Sequence, residues 1–317
     1  MIISLLLSLM TFLWMILVVN GDNCTFDINP SLSIYEYERR YSRFIFKSYQ
    51  KPRHFVRNWR LASKFNSSLC GRMVVDPSTT IYGLEARIAP VKSFPWHVTL
   101  LRKKKDLCNG ILILSRWVLT IASCSLNTDQ ISIGIWNVNS LTSYEQEVKI
   151  SKRFEHEDYN PWTAENNIAL VRLQEEVKFN DYARPICFPT METNFDSAAK
   201  CFVTSFGMTE PDSFMKGEFL RYSAVTILPQ EACSYSRNLL SRNTDRRNIC
   251  TNYDAATLCY GDDGIPLVCE VNGTYRLAGL FSSLNNLGDC VTPYFPAKYT
   301  RVFEYADWIY YVIEKNS

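Results

Sequence analysis

From about Ile81 onward, short apolar and β-branched runs are separated by turn residues, with no helical period between them. ProTrpHisValThrLeuLeu at 95–101, GlyIleLeuIleLeu at 110–114 and TrpValLeuThrIleAla at 117–122 are examples. Such runs read as strands. Parallel strands need crossover helices, so many short strands in succession indicate an antiparallel sandwich or barrel rather than an α/β sheet. The last segment differs: Val302, Tyr305, Ala306, Ile309, Val312 and Ile313 follow a helical period, so the chain is expected to end in one helix packed on an all-β body.

Composition removes several function classes. The 317 residues carry 34 Lys and Arg against 32 Asp and Glu, a formal charge of +2, which leaves no whole-chain nucleic-acid footprint. At 47% hydrophobic and 14% aromatic the chain can bury a large core and is not a disordered protein. Only 12 Gly occur, and neither phosphate-binding glycine motif is present, so a nucleotide cofactor has no foothold.

Residues 1–19 are uncharged and almost entirely apolar, and Val19, Asn20 and Gly21 suit a signal-peptidase cut before Asp22. The expectation is a secreted, extracellular protein with residues 1–21 as its signal. The run lacks a Lys or Arg and is about long enough to span a bilayer, so an uncleaved signal anchor stays open. Sequons at Asn23, Asn66 and Asn272 and a total of 11 Cys agree with an oxidising secretory route. Residues 22–69 carry nine Lys and Arg against four Asp and Glu, net +5, which marks them as a separate basic region. There Ile34, Tyr37, Tyr41 and Phe44, then Arg53, Arg57, Arg60 and Lys64, recur at helical spacing. The region is either a solvated or loosely docked prosegment, or a basic surface for an anionic glycan, lipid or acidic partner.

A series of strings in the body resembles the chymotrypsin-like (trypsin-like) serine protease family across roughly residues 81–317. IleTyrGlyLeu at 81–84 is similar to the mature amino terminus, and PheProTrp follows at 94–96. Then come TrpValLeuThrIleAlaSerCys at 117–124, AsnAsnIleAlaLeuValArgLeu at 166–173, ProIleCysPhePro at 185–189, CysTyrGlyAspAspGlyIlePro at 259–266 and TyrThrArgVal at 299–302. The resemblance implies two six-stranded antiparallel barrels with a site at their interface. It divides the chain into a signal at 1–21, a basic extension at 22–80 and a trypsin-like domain at 81–317. It also implies disulfides Cys108–Cys124, Cys201–Cys269, Cys233–Cys250 and Cys259–Cys290, with Cys70–Cys187 tethering the preceding segment. Cys24 is left over, to pair with another chain or to remain a free or capped thiol. The dispersed Cys, with no His at ligand spacing, disfavour a zinc site, and no metal is expected.

Peptide hydrolysis in this family needs a hydroxyl nucleophile, an imidazole base and a carboxylate that orients the imidazole. By resemblance the three positions hold Ser123 for the histidine, Asn167 for the aspartate and Asp263 for the serine. Losing such a triad costs about 10⁶-fold in turnover. His54, His97 and His156 stand elsewhere, and Asp262 and Asp263, being consecutive, project differently and make a poor shared-proton dyad. The family's oxyanion hole would use the backbone N–H groups of Gly261 and Asp263. A carboxylate there opposes an oxyanion by about 4 kcal/mol at about 4 Å and an effective dielectric near 20. Either the Asp263 carboxylate takes those N–H groups itself, or the residue drifted after activity was lost.

Active relatives are cut after Arg or Lys, freeing an ammonium that pairs with the aspartate represented here by Asp262. Thr80 precedes Ile81, and cutting at Arg72 or Arg87 would place a terminus at the wrong distance, so a single uncut chain is expected, with Asp262 kept for a zymogen-like contact or simply inherited. Thr257, Ser283, Leu284 and Ala297 take the substrate-pocket positions, and Leu284 would narrow the pocket. Arg102, Lys103, Lys104 and Lys105 form a basic run, either a solvated hairpin tip or an exosite. The expected protein is a non-catalytic homologue that binds a partner, such as an active protease, a receptor or an anionic glycan. It would meet a membrane only if the signal is uncleaved. The rival reading is a residual serine-type endopeptidase.

Overall fold

In the computed structural model, which describes residues 65–77, 87–103, 105–139, 142–195, 200–206, 217–235, 246–252, 262–282 and 296–317, the apolar runs become strands. These residues belong to a compact unit running from His54 to Ser317. The signal expected at 1–21, Asn23, Cys24, the helices expected in the basic extension and residues 78–86 lie outside the described residues.

After a short β1 (Arg87–Ile88), six strands close into an antiparallel barrel: β2 (His97–Arg102), β3 (Lys105–Leu114), β4 (Trp117–Thr120), β5 (Gln130–Ile133), β6 (Gln146–Glu155) and β7 (Ala169–Leu173), in the order β2-β3-β4-β7-β6-β5. Val98, Leu100, Leu112, Val118, Ile131, Ile133, Val171 and Leu173 fill its interior. Their strand neighbours Ile111, Ile113, Trp117, Leu119 and Leu170 are buried in a second cluster on the outer face. Successive side chains point to opposite faces of a strand, so burial on both faces demands a continuous apolar run instead of an alternating one.

The remaining strands are β8 (Cys201–Ser205), β9 (Arg221–Val225), β10 (Asn248–Thr251), β11 (Pro266–Val271), β12 (Thr274–Phe281) and β13 (Ala297–Arg301). They form a seven-stranded sheet in the order β1-β9-β8-β11-β12-β13-β10. The resemblance implied two six-stranded barrels. Among the described residues the first is a closed barrel, and the second half gains a strand because β1 pairs with β9 at the sheet edge. The β11–β12 hairpin turns through Asn272 and Gly273 at φ 54° and 72°. Positive φ at both central residues makes the twist of a two-residue turn match that of its strands, and Asn-Gly tolerates it best.

Helix α1 (Ala122–Ser125) is a single turn following β4, and α2 (Ala306–Asn316) closes the chain after a 3₁₀ turn at Val302–Tyr305. Ala306, Ile309, Tyr310, Val312 and Ile313 are its buried residues. This is the i, i+3, i+4, i+7 stripe the sequence carried, with Asp307 in the first turn and Lys315 in the last, both favourable to the helix dipole.

The sequence assigns residues 65–77 to the extension, yet this stretch is part of the core. Phe65 is fully buried, 5.1 Å from the Phe188 ring and 5.2 Å from Tyr310. Cys70 is bonded to Cys187. The Gly71 N–H donates to Pro185 O at 2.9 Å, and its carbonyl accepts from Tyr275 N–H at 3.0 Å. A Cβ on Gly71 would lie 2.2 Å from the Tyr275 carbonyl, so only glycine allows this approach. Three further disulfides join Cys108 to Cys124, Cys201 to Cys269 and Cys233 to Cys250. Cys259 and Cys290 lie outside the described residues.

Truncating Phe65 to Ala should lower unfolding free energy by about 3–5 kcal/mol, as for other fully buried aromatics. A denaturant midpoint within experimental error of wild type would show that the segment is only loosely attached. A second expectation concerns alkali. Burial, aided by the Asp307 charge, pushes the Tyr310 phenol up to about 12, and burial likewise raises Tyr275 and Tyr299. An unfolded tyrosine ionises near 10, so these groups contribute stability that is complete below about pH 10 and is lost as pH rises towards 12. Alkaline titration followed by ellipticity and tyrosinate absorbance should place the transition in that window, and Tyr310→Phe should move it upward.

Candidate functional site

Ser123, Asn167 and Asp263 come from distant parts of the chain and are brought together by three separate devices. Ser123 sits on α1, which the Cys108–Cys124 disulfide ties to β3. Asn167 precedes β7 and is buried, its backbone carbonyl accepting from Thr300 Oγ1 of β13 at 3.1 Å. Asp263 lies in the turn before β11, where its carbonyl accepts from Asn109 N–H at 2.9 Å and from Asn109 Nδ2 at 3.2 Å. The next residue, Gly264, has φ 80°, and a Cβ there would stand 2.1 Å from the Asn109 carbonyl. Glycine is therefore required for the Asp263 turn to lie against β3.

Ser123 and Asn167 are joined in a set of hydrogen bonds. Asn167 Oδ1 accepts from Ser123 N–H at 3.1 Å, and Asn167 Nδ2 donates to Ser282 Oγ at 2.8 Å and to Ser123 Oγ at 3.4 Å. Tyr159 completes it. Its phenol is half-buried, hydrogen-bonded to the Ser123 side chain, and close enough to feel the Asp263 charge. Burial is the main cause that raises its pKa, with the Asp263 charge adding and the Ser123 hydrogen bond opposing. The phenol thus stays protonated near neutral pH and cannot remove a proton from Ser123. The set thus comprises an amide, a hydroxyl and a phenol, with the half-buried Asp263 carboxylate close by. Tyr159 was missed by sequence reasoning: seven residues before Asn166, in HisGluAspTyr at 156–159, it carries no local sign of contact with Ser123.

Asp262 and Asp263 diverge. Asp262 is buried, and its carboxylate accepts a hydrogen bond from Ser205 Oγ at the end of β8. Its charge adds to the burial that raises Tyr299. The Ser205 contact was also unforeseen. The oxyanion-hole hypothesis depends on Gly261, which lies outside the described residues. His97 is buried, its Nδ1 2.9 Å from Thr204 Oγ1. The His156 ring lies 5.4 Å from Tyr305 and 5.2 Å from Trp308, and its Nδ1 accepts from Asp158 N–H at 3.2 Å. Both imidazoles serve packing roles, and His54 lies outside the described residues.

Among the pocket positions, Thr257, Ser283 and Leu284 lie outside the described residues, whereas Ala297 is buried in the core of the seven-stranded sheet. Arg102 pairs with Lys105 across the β2–β3 hairpin, so the basic run is a hairpin tip. Lys103 has φ 49°, and its N–H donates to both Asp129 carboxylate oxygens, at 3.3 and 3.1 Å. Lys104 lies outside the described residues. Asn272 is exposed on its hairpin turn, while Asn66 is half-buried, with Oδ1 accepting from Arg276 at 3.2 Å. Among the described residues no group of His, Cys, Asp or Glu could hold a metal ion, and no helix is long and apolar enough to cross a membrane.

A closed six-strand barrel, a second antiparallel sheet and a triad-like cluster between them define the trypsin class of fold. The family model described as Trypsin matches residues 85–309, and the chain belongs to that family of serine proteases. Among its curated relatives is human transmembrane protease serine 5, 27% identical over 299 residues, or 92% of this chain. The chain spans 63% of that relative's length. Mouse kallikrein 1-related peptidase b11 is 30% identical over 239 residues, covering 71% of this chain and 87% of the relative.

Replacing either neighbour should move the Tyr159 phenol in opposite directions. Ser123→Ala removes the hydrogen bond that lowers its pKa and should raise it further, whereas Asp263→Asn removes a charge that raises it and should lower it. An NMR titration of isotopically labelled tyrosine measures both, and shifts of the same sign would refute this arrangement. Asn167→Ala should cost about 1–3 kcal/mol in unfolding free energy, measured by denaturant titration, because it removes three part-buried hydrogen bonds to Ser123 and Ser282.

Proposed function

We propose that this chain is a secreted, glycosylated member of the trypsin family that does not hydrolyse peptide bonds and works by binding a protein. The observation that carries this reading is the Ser123–Asn167–Tyr159 hydrogen-bonded set beside Asp263, in which an amide and a phenol of raised pKa are the groups bonded to the Ser123 side chain. An acyl-transfer site needs a base within reach of a nucleophilic hydroxyl, and its absence from such a set costs about 10⁶-fold. The Ser205–Asp262 contact supports the same reading, since it satisfies internally the carboxylate that active relatives reserve for a freed ammonium. Thr257, Ser283 and Leu284 at the pocket positions, and the proposed division into residues 1–21, 22–80 and 81–317, complete this account.

The test is direct. A fluorophosphonate probe, which labels a serine that a base has activated, should leave the purified protein unmodified, and a panel of peptides should remain uncut. A covalent adduct at the cleft would overturn the proposal and restore the reading of a residual serine-type endopeptidase. A second reading, a membrane-tethered binding protein, is favoured by the similarity to transmembrane protease serine 5 over 92% of the chain, together with the apolar residues 1–19. Amino-terminal sequencing of material from the culture medium separates the two: a chain beginning at Asp22 removes the anchor, and an intact leader in the membrane fraction removes secretion.

A further inference from the structure

Trp162 is 90% exposed, far beyond Leu126 at 62%, the next most exposed large apolar side chain among the described residues. Covering so large an aromatic side chain with a partner would be favourable. The loop that carries it is built rather than slack. Asn160 N–H donates to Glu165 O at 3.0 Å, and Trp162 N–H donates to Asn160 Oδ1 at 2.9 Å. At its base Asn166 donates to Asp158 O at 2.9 Å and accepts from Arg247 at 2.8 Å and Tyr305 OH at 3.1 Å. The loop places Tyr159 inward against Ser123 and, three residues later, Trp162 outward.

The charge around Trp162 selects the partner. Glu157, Asp158 and Glu165 are exposed on the same loop, and among the described residues none of them makes an ion pair with Lys or Arg. An indole face beside carboxylates suits a guanidinium, which stacks on the ring while the acids neutralise it. The same carboxylates repel an anionic lipid leaflet.

We propose that the 157–165 loop is a protein-docking surface whose anchor is Trp162 and whose occupant is an arginine-rich segment of a partner protein. This rests on the reading of the chain as a binding protein. It places the partner on the 157–165 loop and not on the Arg102–Lys105 hairpin.

The test titrates the full chain with a fluorescent oligo-arginine peptide at physiological ionic strength, with an oligo-glutamate peptide and phosphatidylserine vesicles as alternatives. Oligo-arginine should bind, Trp162→Ala should weaken it about tenfold, and Trp162→Phe should retain part of the affinity. The double variant Asp158→Asn, Glu165→Gln should weaken binding and flatten its salt dependence. Because Trp162 touches little of the fold, its variants should keep the wild-type thermal midpoint. Absence of oligo-arginine binding, equal affinity in Trp162→Ala, or vesicle or oligo-glutamate binding that depends on Trp162 would each overturn the proposal. Fluorophosphonate labelling would instead sink the non-catalytic reading while leaving a Trp162-dependent docking surface intact, so the two failures are distinguishable.

Discussion

The apolar layer between the barrel and the seven-stranded sheet holds the rest of the molecule in place. Phe94, Trp96, Phe202, Tyr222 and Tyr275 pack there as an aromatic group, with neighbouring rings 5.6–6.4 Å apart. Each fully buried large apolar side chain contributes about 1.5–3 kcal/mol. The same cluster takes in Phe65 from the amino-terminal segment and Ile309, Tyr310 and Ile313 from α2. Both ends of the described chain are thereby fastened to one core, and the disulfide across 117 residues between Cys70 and Cys187 restricts the unfolded chain in the same place.

The cleft inherits its geometry from this packing. Asn167 reaches α1, Ser282 at the end of β12, and Thr300 of β13. Asp263 is held against β3 through Asn109 and the obligatory glycine at 264. The same packing brings Ser123, Asn167 and Asp263 together from distant parts of the chain. Tyr159 joins this group from the loop before β7, its half-buried phenol hydrogen-bonded to Ser123.

One loop links that interior to the surface. Residues 156–166 supply Tyr159 to the cleft, stack His156 on the carboxyl-terminal helix through Trp308, and hold Trp162 in water. Rigid presentation lowers the ordering entropy an aromatic anchor loses on binding. The same loop therefore reaches both the Ser123–Asn167 cluster and the surface.

The sequence alone settled the strand-rich body and the terminal helix, because both follow from local periodicity: continuous apolar runs for strands buried on two faces, and a 3.6-residue stripe from Val302 to Ile313. It also marked Ser123, Asn167 and Asp263, since these interrupt strings whose neighbours are otherwise familiar. Three features had no local signal. Phe65 sits in a basic, polar stretch, and only the complementary hollow beside Phe188 and Tyr310 draws it into the core. Ser205 and Tyr159 lie 57 and 36 residues from Asp262 and Ser123. Hydrogen bonds over such separations arise once the sheets have closed, when a donor and an acceptor that no periodicity relates are buried side by side and must satisfy one another.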